Sequence, residues 1–159
     1  MDAIRIQRFA NKLHKKRIRI IPSILTKWIH IRYNSDIQPI IEIGEGTKLG
    51  HGGIGVVINS RSIIGRNVII AQNVTIAGKG GGAPEIDDWC YIGANSVVMG
   101  GIKLGKNCFV GALSLVNKEV PEGAIVAGIP ARVLRIRTEE EIKEWHSWVK
   151  KQGGIEINE

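Results

Sequence analysis

The sequence predicts an all-β chain wound as a parallel solenoid of about four coils, with a helical arm before it and a helix after it. Three observations carry that expectation. Aliphatic residues recur every six positions, the two ends break that period, and glycine is abundant (20 of 159 residues) while aromatics make up only 5%. Glycine at roughly twice its usual share, with so few rings, calls for an aliphatic core inside a tightly turning backbone. At 159 residues and 43% hydrophobic, the chain suits one domain with a real core rather than two domains or a disordered tail.

Residues 1–34 form a basic arm. The stretch AIRIQRFANKLHKKRIRIIPSILTKWIHI mixes apolar and basic positions and predicts one or two helices broken near Pro22. The net charge of +7 is concentrated here, because residues 1–33 carry nine Lys or Arg against a single acid, Asp2. The rest of the chain is nearly neutral. Such a total suggests nucleic acid or an anionic surface. No aromatic stacking platform or recognition motif accompanies the charge, so the expectation is no nucleic acid. What remains is peripheral contact with an anionic membrane through residues 1–33, or a docked helix whose charges face solvent.

Residues 35–137 carry the repeat. Ile37, Ile43 and Leu49 stand six apart, as do Ile58, Ile64, Ile70 and Ile76, and then Ile86, Ile92, Val98, Leu104, Val110 and Val116. Neither a helix nor a simple strand predicts this spacing. Four residues after an anchor the side chain is small or β-branched: Val68, Val74, Cys90, Ser96, Cys108, Ser114 and Val120. Three residues after an anchor stand Gly46, Gly52, Asn67, Asn73, Asn95, Gly101 and Asn107, types that tolerate a left-handed backbone at a corner. Each hexad therefore reads as a short strand, an inward aliphatic and a turn. Three hexads close one triangular coil, with coils stacked about 4.8 Å apart. Cys90 and Cys108 differ by one coil and are expected to stack inside it as inert packing thiols.

Residues 138–159 end the chain. Thr138 followed by Glu141 reads as a capping box, with Ile142, Trp145 and Trp148 at helical spacing. Lys150 and Lys151 before Gly153 read as a basic helix end and a glycine stop. The two tryptophans are expected to lie on the coil or on a neighbouring subunit.

No apolar run reaches the roughly 18 residues of a membrane span, and no signal-peptide pattern opens the chain. The two cysteines form no CxxC pair. These features suggest a cytoplasmic, reduced protein.

The hexads IGRNVI, IAQNVT, IGANSV and LGKNCF resemble those of the hexapeptide-repeat acyltransferases, whose fold is a left-handed parallel β-helix. The handedness is implied by the resemblance alone, since it departs from the usual crossover rule. SDIQPIIEIGEGTKLGHGGIGVVI is similar to the active-site segment of serine acetyltransferases. There an Asp in a D-I-x-P element pairs with a His in an H-x-x-G-I-V-like element. The resemblance implies His51 as general base and Asp36 as its orienting partner. That pairing suits acetyl transfer to an alcohol, because a neutral imidazole takes the hydroxyl proton while a carboxylate holds the ring. His51 is also the one histidine inside the repeats, beside the first break in the period.

VNKEVPEGAIVAGIPARVLRIR resembles the closing segment that meets the phosphates of acetyl-CoA. Lys118, Arg132 and Arg135 are the implied phosphate partners. Ala94 and Ala112 match small positions beside the pantetheine groove, and Gly78 is a candidate for a backbone N–H that steadies an oxyanion. The resemblance further implies acetyl-CoA as co-substrate, no metal, and a homotrimer with sites at subunit boundaries.

Two departures bear on the acceptor. Serine acetyltransferases typically carry an Arg-His-Pro where this chain has Gly82-Ala83-Pro84, and an Asp before the histidine where it has Gly50. Both positions belong to the family's serine-recognition apparatus, and the chain resembles the short acetyltransferases of polysaccharide biosynthesis. That resemblance implies a sugar hydroxyl as acceptor, with L-serine as the alternative and a non-catalytic scaffold as a further one. A zinc enzyme of the γ-carbonic anhydrase type needs three coil histidines; His14, His30 and His146 lie in the flanks instead.

Overall fold

A computed structural model describes residues 2–152. Two helices, α1 (Ala3–Lys15) and α2 (Ile20–Tyr33), precede a three-faced parallel solenoid, and α3 (Glu139–Gln152) follows it. The first face stacks Asp36–Ile37, Val57–Ile58, Thr75–Ala77, Val97–Met99 and Leu115–Val116. The second stacks Glu42–Ile43, Ile63–Ile64, Glu85–Ile86 and Lys103–Leu104. The third stacks Lys48–Leu49, Ile69–Ile70, Tyr91–Ile92, Phe109–Val110 and Ala124–Gly128, closed by the antiparallel strand Ala131–Ile136.

The period of six maps onto this prism residue by residue. Ile37, Ile58, Ile76, Val98 and Val116 lie in register on the first face and all are buried. The small positions four residues later are buried too, with Cys90 and Cys108 fully enclosed as free thiols. Cys90 Sγ donates to the Gly105 carbonyl. Its contact with Cys108, followed by burial, pushes the Cys108 thiol well up. Packing, not reactivity, is what such an environment favours.

Corner positions are left-handed at Gly46, Gly52, Asn67, Asn73, Asn95 and Asn107. Gly101 departs from the expectation: the left-handed residue of that coil is Gly100. Trp89 and Leu113 occupy the same slot and adopt φ of 64° and 58°, so register imposes the corner even on residues that disfavour it.

The arm differs from the expected break near Pro22. The chain breaks at Lys16–Arg19, where Arg17 has φ 62°, and Pro22 sits in the first turn of α2. Proline fits there because the first-turn N–H groups have no partner within the helix. Asp2 caps α1 by accepting from the Arg5 N–H at 3.0 Å. Asn34 ends α2 in the left-handed conformation. The arm docks on the first coils through Ala3, Ile4, Ile6 and Ile29, all in the common core. Gln7, almost fully buried, donates to the Ile41 carbonyl at 3.0 Å.

At the other end the capping box forms as expected. The Glu141 N–H donates to Thr138 Oγ1 at 3.3 Å, and the Thr138 N–H donates to Glu141 Oε2 at 2.8 Å. Trp145 lies on the coil, its Nε1 donating to the Trp89 carbonyl at 2.7 Å and its ring edge-on to Tyr91 and Phe109. Trp148 stacks on Trp145 but stays 46% exposed. The expected stop at Gly153 lies outside the described residues.

Candidate active site

The first break in the period makes a short turn, Gly50–Gly53, at the edge where the third face passes into the first. His51 is exposed there with φ 50° and ψ 40°, followed by Gly52 at φ 70°. A Cβ on Gly52 would make only ordinary contact with the Tyr33 ring, at 3.4 Å, so glycine is favoured here by its φ of 70° and not by lack of space.

Asp36 opens the first face at the same edge, paired with Val57, and its N–H donates to the Val56 carbonyl at 3.0 Å. One buried hydroxyl ties its approach to the histidine turn. Ser35 Oγ donates to the Gly53 carbonyl and accepts from the Val56 N–H at 3.1 Å. The topology thus brings Asp36 and His51 to one edge of one coil. It does not join them by a hydrogen bond; Asp36 Oδ1 accepts from Gln38 Nε2 at 2.6 Å. A cavity of about 410 Å³ lies beside Asp36, lined by Ser23, Thr26, Lys27 and His30 of α2 together with Gln38 and Pro39.

The candidate cofactor residues fall into two groups. Register pairs Leu49 with Ile70, Ile70 with Ile92, Ile92 with Val110 and Val110 with Val126. Two residues beyond each stand His51, Gln72, Ala94, Ala112 and Gly128. They form a single row along the edge, running roughly 14 Å from His51 to Ala112 at one coil spacing per step. Backbone contact between coils is close here: a Cβ on Gly93 would meet the Ala112 N at 2.5 Å. The buried hydroxyls of Ser96 and Ser114 accept from the Ser114 and Gly128 N–H groups and donate to the Gly111 carbonyl, holding the edge together from inside. Arg132 pairs with Ala127 and stands at the far end of the row. Its guanidinium is exposed, donating to the adjacent Ala131 carbonyl at 3.0 Å.

Gly78 and Lys118 lie elsewhere. Each stands two residues past its first-face anchor, Ile76 or Val116, which places both on the edge between the first and second faces. The loop after Gly78 is closed by Lys79 and Gly82, each N–H donating to the other's carbonyl. Within one chain, Gly78 is therefore across the first face from His51. Arg135 pairs with Ile125, away from the row's end, and its guanidinium donates to both Glu141 oxygens at 2.7 and 2.5 Å. That fork, with the Thr138 N–H, lowers the Glu141 carboxyl to about 2.

Sequence reasoning missed Ser35, which carried no motif, and Gln72, which sits between His51 and Ala94. The constant offset from each anchor could have found Gln72. Among the described residues no three His, Cys, Asp or Glu side chains converge to hold a metal ion. No helix among them is long and apolar enough to cross a membrane.

Residues 84–118 match the family model described as bacterial transferase hexapeptide (six repeats). The chain is 36% identical over 143 residues to Serine acetyltransferase 2 of Arabidopsis thaliana, covering 87% of this chain and 44% of that protein. Among solved structures, it superposes on serine acetyltransferase from Neisseria gonorrhoeae in complex with serine with a TM-score of 0.78 at 30% identity, covering 84% of this chain and 55% of that one. A serine acetyltransferase in complex with CoA gives a TM-score of 0.76 at 32% identity, covering 83% and 55%. The chain spans about half the length of the curated relatives it matches. Their names give serine as acceptor, and none points to the sugar expected from the sequence.

Proposed function

The chain belongs to the hexapeptide-repeat transferases and is homologous to the serine acetyltransferases, and from that premise we propose that it moves acetyl from acetyl-CoA to a hydroxyl, with His51 as general base. One observation carries this reading: His51, Ala94, Ala112 and the approach to Arg132 share a single edge of the prism. An extended thioester laid along that row has its phosphates toward a guanidinium and its acetyl end toward an imidazole.

His51 removes the proton as the hydroxyl oxygen attacks the thioester carbonyl, and the thiol of CoA leaves carrying a proton returned by the imidazolium. Asp36 stabilises that imidazolium from the same edge. Asp36 Oδ1 accepts from Gln38 Nε2 at 2.6 Å, so this pairing requires the carboxylate to turn from Gln38 toward the ring. No enzyme nucleophile is required. Gly78 and Lys118 complete the site from a neighbouring copy in a trimer, because each lies on the edge opposite His51.

L-serine is the acceptor that the relatives' names support. A sugar hydroxyl is a second reading, favoured by Gly50 and Gly82-Ala83-Pro84, which offer no ionic side chain to an amino acid. Calorimetry with CoA tests the cofactor row: no binding at millimolar ligand overturns the proposal. Thiol release from acetyl-CoA, followed with L-serine and with a panel of nucleotide sugars, then decides the acceptor.

A further inference from the structure

We propose that the helical arm is a monotopic anchor that lays α2 and the turn before it on an anionic lipid surface. α2 is apolar on two opposite faces. One face, Pro22 and Ile29, is buried against the solenoid. The other is bare: Ile20 is 76% exposed, Ile24 61%, Ile31 73%, Ile21 47% and Trp28 46%. Ile20, Ile24 and Ile31 follow one line of the helix, and Ile21 and Trp28 follow the adjoining one, so the five form a continuous ridge. A helix with two opposed apolar faces, one already packed on the solenoid, needs a second apolar environment for the other.

Charge identifies that environment. From residue 3 to residue 35 the chain has nine Lys or Arg and no Asp or Glu. Lys27 and Arg32 flank the ridge, and Lys16, Arg17 and Arg19 crowd the exposed turn at its start. Among the described residues, Lys15 alone of the nine forms an ion pair, with Glu42 at 3.0 Å. Apolar side chains bordered by uncompensated cations, with a tryptophan among them, match the interface of a bilayer bearing negative headgroups. A twofold contact of two ridges fits worse, since it sets Lys27 and Arg32 of both copies against one another.

The arm reaches the candidate site directly. Ser23, Thr26, Lys27 and His30 on α2 line the cavity beside Asp36, so lipid contact holds that cavity near the membrane surface.

Sedimentation of the full chain with vesicles of phosphatidylcholine alone, or mixed with phosphatidylglycerol, tests the anchor at low and high salt. The expected result is binding to the mixed vesicles that weakens with salt, each basic residue contributing roughly fivefold in affinity. Ile24→Asp/Ile31→Asp should abolish binding while leaving circular dichroism and the sedimentation coefficient of the free protein unchanged. Lys16→Glu/Arg17→Glu should remove the preference for phosphatidylglycerol. No binding to either vesicle overturns the anchor. So does a ridge variant that changes the oligomeric state, which would assign the ridge to a second copy. Neither outcome depends on acetyl transfer.

Discussion

The Ser35 hydroxyl donates to the Gly53 carbonyl, across the boundary between the arm and the first coil. The same oxygen accepts from the Val56 N–H at 3.1 Å, so one side chain pins the segment that leaves the His51 turn, from Gly53 to Val56. Gly53 and Val56 are buried, and removing the hydroxyl leaves their polar groups only the long 3.4 Å bond from the Val56 N–H to the Gly53 carbonyl. Ser35→Ala should cost about 1–3 kcal/mol, lowering the thermal midpoint by roughly 2–4 °C per kcal/mol in a chain of this size. Turnover should fall with little change in KM for acetyl-CoA, because Ala94, Ala112 and Arg132, proposed to meet the cofactor, lie on later coils than the turn. An unchanged kcat would remove Ser35 from any part in placing His51.

His51→Ala should reduce turnover by at least the roughly hundredfold typical of a lost general base. Its side chain is exposed, so the folded state should survive, as circular dichroism will verify. Asp36→Asn should also lower kcat, since an amide cannot stabilise an imidazolium as a carboxylate does. Turnover within a fewfold of the parent for His51→Ala would assign the proton transfer to another group.

The row predicts a KM effect separable from chemistry. Ala112 is exposed three coil steps from His51, and Ala112→Glu places a bulky anion on the path proposed for the thioester arm. KM for acetyl-CoA should rise at least about tenfold, with kcat at saturation much less affected. Arg132→Ala should act in the same direction through a lost charged hydrogen bond. Arg135→Ala should change KM less, because its guanidinium is already committed to Glu141.

The coil was legible because one constraint repeats: Ile37, Ile58, Ile76, Val98 and Val116 obey the period and share a face. The alignment of His51 with Ala94 and Ala112 follows from a constant offset, but the two breaks hide it until the register is known. Trp89 and Leu113 could not be read as left-handed, because neither side chain favours that conformation and only their neighbours impose it. Pro22 misled for a related reason, since a proline signals a break only when its missing N–H would have had a partner. Ser35 lies in no pattern; its role depends on a turn twenty residues away in sequence.

His146 supplies a pH signature for the docking of α3. Its Nε2 lies 2.6 Å from Asn107 Oδ1 and its ring stacks on Trp89 at 4.1 Å. Burial, followed by the charges of Lys106, Lys150 and Arg137, lowers its pKa below the ordinary 6.5. Below pH 6.5 the unfolded chain therefore binds a proton that the folded chain does not. Stability should fall as pH drops through that value, levelling once the folded histidine also titrates. The thermal midpoint measured from pH 8 to 5 should show a smaller slope in His146→Gln; an equal slope would exclude this residue as its source.

Leu113 offers a test of the corner rule itself. It holds φ 58° while 65% exposed, so its side chain gains little from packing within the chain and bears the cost of a left-handed backbone. That cost is about 1–2 kcal/mol for an ordinary residue and smaller for asparagine, whose short side chain tolerates the conformation. Leu113→Asn should raise the thermal midpoint, stabilising the fold by on the order of 1 kcal/mol. The reverse change one coil back, Asn95→Leu, should lower it by more. It imposes the same backbone penalty at φ 59° and also removes the acceptor that Asn73 Nδ2 meets at 3.2 Å. If Leu113→Asn instead destabilises the protein in its assembled form, the leucine is covered by a neighbouring subunit, and cross-linking through Leu113→Cys would locate that contact.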